Sequence, residues 1–420
     1  MAKRKEKSDC NVLQKTVIDR GLCTGCGLCV GICPNKVWEI RWMDGDAEPG
    51  MSGSECKACG LCSAVCPGSD IPMLSLEKKF LGKQRDPERD EVGVYRKAYG
   101  AYAGHTHIRD AGASGGVATA LLAYALEKDL IDGAVVAGFN EERPYLAEGR
   151  IVTDSRELAR HARSKYGGNP PVNAVLSEAV IDRGISRLGL IGCPCHVHGL
   201  RKVQKLGRPK QIADSIHLVL GLFCASQMYF EGTRHLLSEY CGIYSLDEIE
   251  MIDYRWGPWP GRFYVKTTSG KEILVDRHEY VYHHLLSNWQ KERCMICLDH
   301  CAELSDIALG DYWNPAMKPG DPGWTMVIAR SDFGLQFFED AVRDGYVVAE
   351  AFDLSDKTPS GTQLKKRRNP FLHKKRLQLG LPVPDYGFVP KHEPGPAQEK
   401  HRAPAFDGPV VVVRNKGDGS

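Results

Sequence analysis

The sequence predicts a mixed α/β chain carrying a small cysteine-rich head, and three observations support this. A cysteine spacing is repeated twice between Cys23 and Cys66. Beyond residue 98, helix-period stretches alternate with short apolar runs that read as buried strands. The chain also has 420 residues, enough for at least two cores, whereas a head of this kind is complete by about residue 80. The expected division is a head at 1–80, a linker at 81–97, an α/β domain at 98–210, a smaller α/β part at 211–388 and a mobile tail at 389–420.

The head reads Cys23-x2-Cys26-x2-Cys29-x3-Cys33-Pro34, then Cys56-x2-Cys59-x2-Cys62-x3-Cys66-Pro67. In this spacing three thiolates wrap one iron–sulfur cube while the fourth crosses to its sister. Cys23, Cys26, Cys29 and Cys66 are therefore assigned to one 4Fe-4S cluster, and Cys56, Cys59, Cys62 and Cys33 to the other. Zinc needs four ligands, not an interlocked eight. The segment resembles a bacterial two-cluster ferredoxin. Between the motifs, residues 37–42 alternate as a short strand that ends in an Asp44-Gly45 turn.

Composition narrows the function. Hydrophobic residues at 42% and charged residues at 26% are ordinary for a globular chain, and a net charge of +2 makes no case for a nucleic-acid partner. Residues 1–7 lack the apolar core of a secretion signal, and the most apolar run, 216–225, is too short to span a bilayer. A cytoplasmic chain without a membrane span is expected, one able to dock at the edge of a membrane complex. There, sixteen cysteines point to metal or redox chemistry rather than disulfides.

Residues 1–20 read as a basic mobile tail, and the charged stretch 78–95 as a linker. Ala111-Gly-Ala-Ser114-Gly115-Gly116 precedes a helical stretch to Lys128. Ser114 suits the N-cap. The two glycines either leave first-turn N–H groups open to a phosphate or flavin edge, or permit tight packing. Residues 131–138 read as a buried strand, 158–166 as helix, and 187–192 as a strand ending at Cys193-Pro194-Cys195-His196, where open α/β sheets place ligands. A second apolar run ends at Cys224, and Cys294-x2-Cys297 follows. Cys195, Cys224, Cys294 and Cys297 are a candidate third cluster, with a zinc site of Cys294, Cys297, His300 and Cys301 as the competing grouping. Residues 250–276 read as a hairpin with a Trp/Pro-rich loop, and 306–311 as a strand ending in acid. The basic runs 365–368 and 373–376 read as a solvated face.

Six motifs carry a family resemblance. They are Gly112-Ala-Ser114-Gly-Gly-Val-Ala-Thr119, Ser164-Lys-Tyr166, Gly192-Cys-Pro-Cys195-His196, Arg255-Trp-Gly-Pro-Trp-Pro-Gly261, Cys294-x-x-Cys297-x-Asp299 and Asp306-Ile-Ala-Leu-Gly-Asp311. Over 98–385 the chain resembles the beta subunit family of coenzyme F420-reducing hydrogenase and formate dehydrogenase. The resemblance implies FAD, although no G-x-G-x-x-G stands after a strand. It implies Ser114, Gly115, Gly116, Thr119, Lys165, Tyr166 and Pro194 at the flavin and the third cluster on Cys195, Cys224, Cys294 and Cys297. Cys193 stands where relatives are expected to carry a small hydroxyl residue, which leaves Cys193 and Cys195 both open as the ligand. His196 is the candidate catalytic group at the flavin edge. The implied activity couples hydride exchange with a deazaflavin coenzyme, or another hydride carrier, to one-electron transfer with a redox partner protein. A ferredoxin-dependent reductase of an organic substrate and a non-catalytic relay subunit are the alternatives.

Overall fold

The computed structural model describes residues 10–313, 318, 320, 322–388 and 411–414. The head begins with helical turns at Cys10–Leu13 and Gln14–Ile18. Cys10, Leu13 and Val17 share one face and are buried against the head's own core, so from residue 10 the expected mobile tail is packed. Residues 1–9 lie outside the described residues. The predicted strand forms as β1 (Trp38–Met43), antiparallel to β2 (Asp46–Met51). Asp44 and Gly45 both take positive φ in the two-residue loop, which matches the right-handed twist of the strands.

The body is built on one eight-stranded sheet. Its strands are β3 (Lys97–Ala103), β4 (Gly133–Phe139), β5 (Ala147–Val152), β6 (Leu188–Gly192), β7 (Ile216–Leu222), β11 (Ile307–Asp311), β12 (Thr325–Ala329) and β13 (Val347–Phe352). The order is β13-β3-β12-β11-β7-β6-β4-β5. The inner four strands, β4, β6, β7 and β11, run parallel, and the flanking strands are antiparallel. Residue 210 falls between two neighbouring strands of this sheet, so segments 98–210 and 211–388 share one layer. Side-chain alternation divides the faces. Ala134, Val136, Leu218, Leu220, Ile307 and Leu309 point toward the helices Val117–Glu127 and Asp332–Arg343. Val135, Leu190, Val219 and Ala308 point the other way, to the helix Pro194–Leu206 and to Leu28, Ile32, Leu61 and Val65 of the head. The head thus covers part of one face of the sheet.

A second sheet, β8 (Ile249–Trp256), β9 (Arg262–Thr267), β10 (Glu272–Val275) and β14 (Val411–Arg414), is antiparallel in the order β14-β10-β9-β8. It contains the predicted hairpin and packs on the helix Phe230–Cys241. Residues 411–414 therefore pair as a strand within the stretch read as a mobile tail, while 389–410 and 415–420 lie outside the described residues.

Three other expectations change. The helix Val117–Glu127 is entered through Gly116 at φ +74°, not capped by Ser114. Residues 158–166 hold only a short helical segment, Ser155–His161, before the chain extends. The linker is anchored: Arg85 is buried between Glu77 and Glu303 in ion pairs to both. Glu303 also binds Lys366, at 2.8 Å. Lys365, Lys366 and His373 are buried, so the basic runs expected to form a solvated face are instead partly drawn inside by acidic and sulfur partners. Lys374 and Lys375 remain exposed.

The head meets the body by backbone approach. A Cβ at Gly31 would lie 1.9 Å from the Asn173 carbonyl oxygen, and one at Gly27 would lie 2.8 Å from the Pro171 carbonyl oxygen. The Asn173 amide donates to the Cys26 carbonyl at 3.0 Å, and Lys202 donates to the Cys66 and Asp70 carbonyls at 2.9 and 2.7 Å. Gly31→Ala is expected to cost roughly 1–3 kcal/mol through overpacking, read as a lower unfolding midpoint in denaturant.

Candidate functional site

Parallel strands explain where the body's sulfurs gather. β6, β7 and β11 end at the same edge of the sheet, so Cys193 and Cys195 after β6, Cys224 after β7 and Asp311 at the end of β11 come together there. Cys294 and Cys297, carried by the turn around Glu292–Met295, complete the group. The Gln227 amide donates to Cys294 Sγ at 3.3 Å, and its side-chain Nε2 lies 3.2 Å from Cys193 Sγ and 3.7 Å from Cys224 Sγ. Burial pushes the Cys195 thiol well up, and the sulfurs of Cys26, Cys224, Cys294 and Cys297 push in the same direction. Cys193 instead contacts Cys224, whose thiol that hydrogen bond raises. Burial also raises Cys297, but Lys365 and Arg293 outweigh it and hold the thiol below its ordinary value. So many buried, mutually repelling thiols become favourable when a metal centre compensates their charge, and this donor set therefore fits an iron–sulfur cluster.

The competing zinc grouping is not assembled. Cys301 Sγ turns away to the Thr362 hydroxyl at 3.1 Å, in the core beneath the sheet. Among the described residues, no three His, Cys, Asp or Glu side chains close around a single-ion position; a four-iron cube holds its thiolates farther apart.

The head's cysteines stand close enough to act on one another. Cys29 carries the charge influence of Cys23, Cys26, Cys66 and Cys62, and Cys66 that of Cys26 and Cys23. Cys33, Cys56, Cys59 and Cys62 line one small cavity, open at its mouth. Backbone amides point at the sulfurs: Gly25 to Cys23 at 3.4 Å, Gly68 to Cys66 at 3.3 Å and Val37 to Cys33 at 3.4 Å. Cys10, which reads from sequence as an isolated tail residue, lines the same cavity and donates its amide to Cys56 Sγ at 3.3 Å. Cys59 is exposed, whereas Cys26 faces the body.

Four of the six sequence motifs converge on a buried guanidinium. Arg255 reaches Asp311 at 3.1 and 3.2 Å, the Ala113 carbonyl at 2.8 Å, the Pro260 carbonyl at 2.7 Å and the Tyr166 hydroxyl at 3.3 Å. Burial raises the Asp311 carboxyl, yet Arg255 and Arg277 outweigh it and hold it below its usual range. The Tyr166 phenol is likewise raised by burial and brought below its ordinary value by the same two arginines. Around this centre stand Arg163, bridged to Arg255 through Asp253 and lying over Trp256, Arg109 over Tyr102, and Arg277 over Trp313, which packs on Trp259. The Nε atoms of Arg109, Arg163 and Arg277 and Nε1 of Trp259 are buried without a hydrogen-bond partner among the described residues. Unpartnered guanidinium Nε–H groups beside aromatic faces fit an anionic, aromatic ligand such as a flavin dinucleotide. Sequence patterns had not marked Arg109, Arg163 or Arg277, which stand outside any spacing signature.

Several expected site residues have other work. His196 accepts the Cys193 amide at Nδ1 (3.0 Å) and donates from Nε2 to the Pro170 carbonyl (2.9 Å). Both nitrogens are engaged, and burial lowers its pKa to about 4, so it braces the Cys193–Cys195 turn as a neutral ring and is not free to serve as a catalytic group. Lys165 is also committed, its three ammonium hydrogens directed to the His161, Ala162 and Arg163 carbonyls. At Gly115 and Gly116 a Cβ would meet the Ala101 and Ile108 carbonyls at 2.6 and 2.7 Å, so these glycines permit packing and leave no opening. Ser114 donates to the Trp324 carbonyl at 2.6 Å. Thr119 lies half-buried in the first turn of its helix, and Pro194 opens the helix after β6.

The fold and the sulfur-rich site define an iron–sulfur oxidoreductase, and comparison with known proteins makes this specific. Residues 15–68 match a 4Fe-4S dicluster domain. Residues 98–177 and 185–355 match the N-terminal and C-terminal models of the coenzyme F420 hydrogenase/dehydrogenase beta subunit. The chain is 31% identical over 302 residues to the coenzyme F420 hydrogenase subunit beta of Methanococcus voltae, covering 70% of this chain and 99% of that protein. It is 27% identical to the coenzyme F420-dependent sulfite reductase of Methanocaldococcus jannaschii, over 84% of this chain and 50% of that one. A chain of the F420-reducing [NiFe] hydrogenase complex from Methanosarcina barkeri shares the fold at a TM-score of 0.56 and 23% identity, over 70% of this chain and 96% of that one. The chain belongs to the coenzyme F420 hydrogenase/dehydrogenase beta subunit family.

Asp311→Asn would leave Arg255 without its carboxylate and is expected to cost roughly 3–5 kcal/mol. Asp311's folded pKa is depressed, so its contribution is present above the unfolded carboxylate value and lost as pH falls through the lower folded value. Acid titrations of stability should therefore show a limb in the wild type that is missing in D311N.

Proposed function

We propose that the chain exchanges hydride with a deazaflavin coenzyme at a bound FAD and passes single electrons through three 4Fe-4S clusters to a partner protein. The observation that carries this reading is the position of the body's sulfur group. The Cys195 sulfur feels the charge of Cys224, Cys294 and Cys297 and of Cys26 of the head, and the Asn169 side-chain amide links it to the Thr24 carbonyl. Cys195 is accordingly the fourth ligand of the third cluster, and Cys193 stands outside it against Cys224. The route then runs from the third cluster to the set Cys23, Cys26, Cys29 and Cys66, and on to the set Cys33, Cys56, Cys59 and Cys62, where exposed Cys59 marks the exit to a partner.

FAD supplies the chemistry that joins two-electron hydride exchange to one-electron transfer. Arg109, Arg163 and Arg277 would hold its anionic groups, and Trp256, Trp259 and Trp313 would shield the site from water. Arg255, fixed by Asp311, orients the Tyr166 hydroxyl, and this oxygen takes the proton-holding role expected of His196. The names of the relatives, subunits of F420-dependent hydrogenases and formate dehydrogenases among them, support both the coenzyme and the partner protein.

Anaerobically purified protein should carry about twelve irons and one FAD per chain and oxidise reduced F420 with a dye acceptor. Cys224→Ala should lower the iron content to about eight and abolish transfer to the dye through the head. Eight irons in the wild type would remove the third cluster, and absence of flavin would overturn the hydride step.

A further inference from the structure

At the contact between the head and the third cysteine group stands a side chain that no sequence motif marked. Asn169 follows the two glycines of Gly167-Gly168 and is 2% exposed. Its Nδ2 donates to the Thr24 carbonyl at 2.5 Å and lies 3.5 Å from Cys195 Sγ. Its Cβ also abuts the Gly25 position, where an added Cβ would sit 3.5 Å away. The orientation of the carboxamide is dictated by chemistry: a carbonyl and a thiolate are both acceptors, so the NH2 must face them. The consequence is that Oδ1 is buried without a hydrogen-bond partner among the described residues. A native chain seldom leaves a buried oxygen unsatisfied, and here the same rotamer brings two donors to the junction.

We infer that Asn169 is the positioning residue of the inter-cluster junction: its NH2 group ties the Cys195 sulfur to the Thr24–Cys26 loop, fixing the spacing between the third cluster and the inner head cluster, that of Cys23, Cys26, Cys29 and Cys66, and tuning the third. This rests on the reading of Cys195 as a cluster ligand. Hydrogen bonds to cluster sulfurs are among the features that set reduction potential, and a donor stabilises the more negative, reduced state. Removing this donor therefore lowers the potential of the third cluster in particular. The neighbouring Asn173 has a separate task. Its amide donates to the Cys26 carbonyl and its Nδ2 to the His196 carbonyl at 3.2 Å, so the loop stays anchored when Asn169 is changed.

The test compares wild type, Asn169→Ala and Asn169→Ser, each purified anaerobically as the full chain, by iron content and by redox titration followed with electron paramagnetic resonance. Asn169→Ala should keep the wild-type iron content. Its third-cluster signal should titrate lower, with the reduced-to-oxidised ratio at the wild-type midpoint falling about tenfold, equivalent to about 59 mV for one electron. The splitting that arises from interaction between the reduced inner and third clusters should weaken. Asn169→Ser keeps a hydroxyl donor and should recover part of the shift. An unchanged titration and splitting in Asn169→Ala would overturn the inference, as would loss of the same four irons in both variants, which would make Asn169 merely structural. A wild type holding about eight irons would overturn the third-cluster reading itself, and this inference with it, before any variant is compared.

Discussion

Everything that passes between the two halves of this protein depends on how closely the head's first cysteine loop approaches the 169–174 segment. Gly27 and Gly31 are present because any side chain there would overlap the Pro171 and Asn173 backbone. The Asn173–Cys26 hydrogen bond sets the register of that contact. With the backbones this close, Cys26 becomes a neighbour of Cys195, and two modules that could have been tethered by a flexible spacer share one core instead. Charged anchors extend the contact. Lys202 holds the Cys66–Asp70 turn, Arg293 reaches the Pro67 carbonyl, and Glu77 of the head joins Arg85, Glu303 and Lys366 in a buried network. Replacing any one member would leave its partner charged and buried, at a cost in stability.

The parallel core of the large sheet does the second part of the work. Because β6, β7 and β11 run in the same direction, the residues that follow them emerge at one edge. Cys195 after β6 stands beside the head, while Asp311 at the end of β11 faces the hairpin of the smaller sheet and pairs with Arg255. The cysteine group and the arginine–tryptophan group are thus adjacent products of one topology. The alternation of side chains across the sheet leaves one face to two helices and the other to the Pro194–Leu206 helix and part of the head.

Local patterns were readable wherever their chemistry is local. The Asp44-Gly45 hairpin, the buried strands and the hairpin around residues 250–276 follow from turn residues and two-residue periodicity. Readings failed where a side chain has a distant partner. Lys365 and Lys366 look like surface charge until Cys297 and Glu303 are seen beside them. His196 looks like a free imidazole until both nitrogens are found engaged, and Gly115 and Gly116 look like a ligand cradle until the backbone of β3 and the Thr106–Ala111 helix fills the space.

The 4Fe-4S dicluster head and membership of the family were legible without the fold, because cysteine spacings of two and three residues and short contiguous motifs are local in the chain. Cys195, Cys224, Cys294 and Cys297 were a candidate group in the sequence, with Cys193 and Cys195 both open as the ligand. The folded chain alone shows that the Cys195 sulfur feels Cys26 of the head as well as Cys224, Cys294 and Cys297, that Arg163 and Arg277 stand around Arg255 and Asp311, and that Asn169 stands at the junction. The reason is physical. These contacts join residues tens to hundreds of positions apart, and they form only when strand direction, glycine-permitted backbone approach and the burial of paired charges are satisfied together.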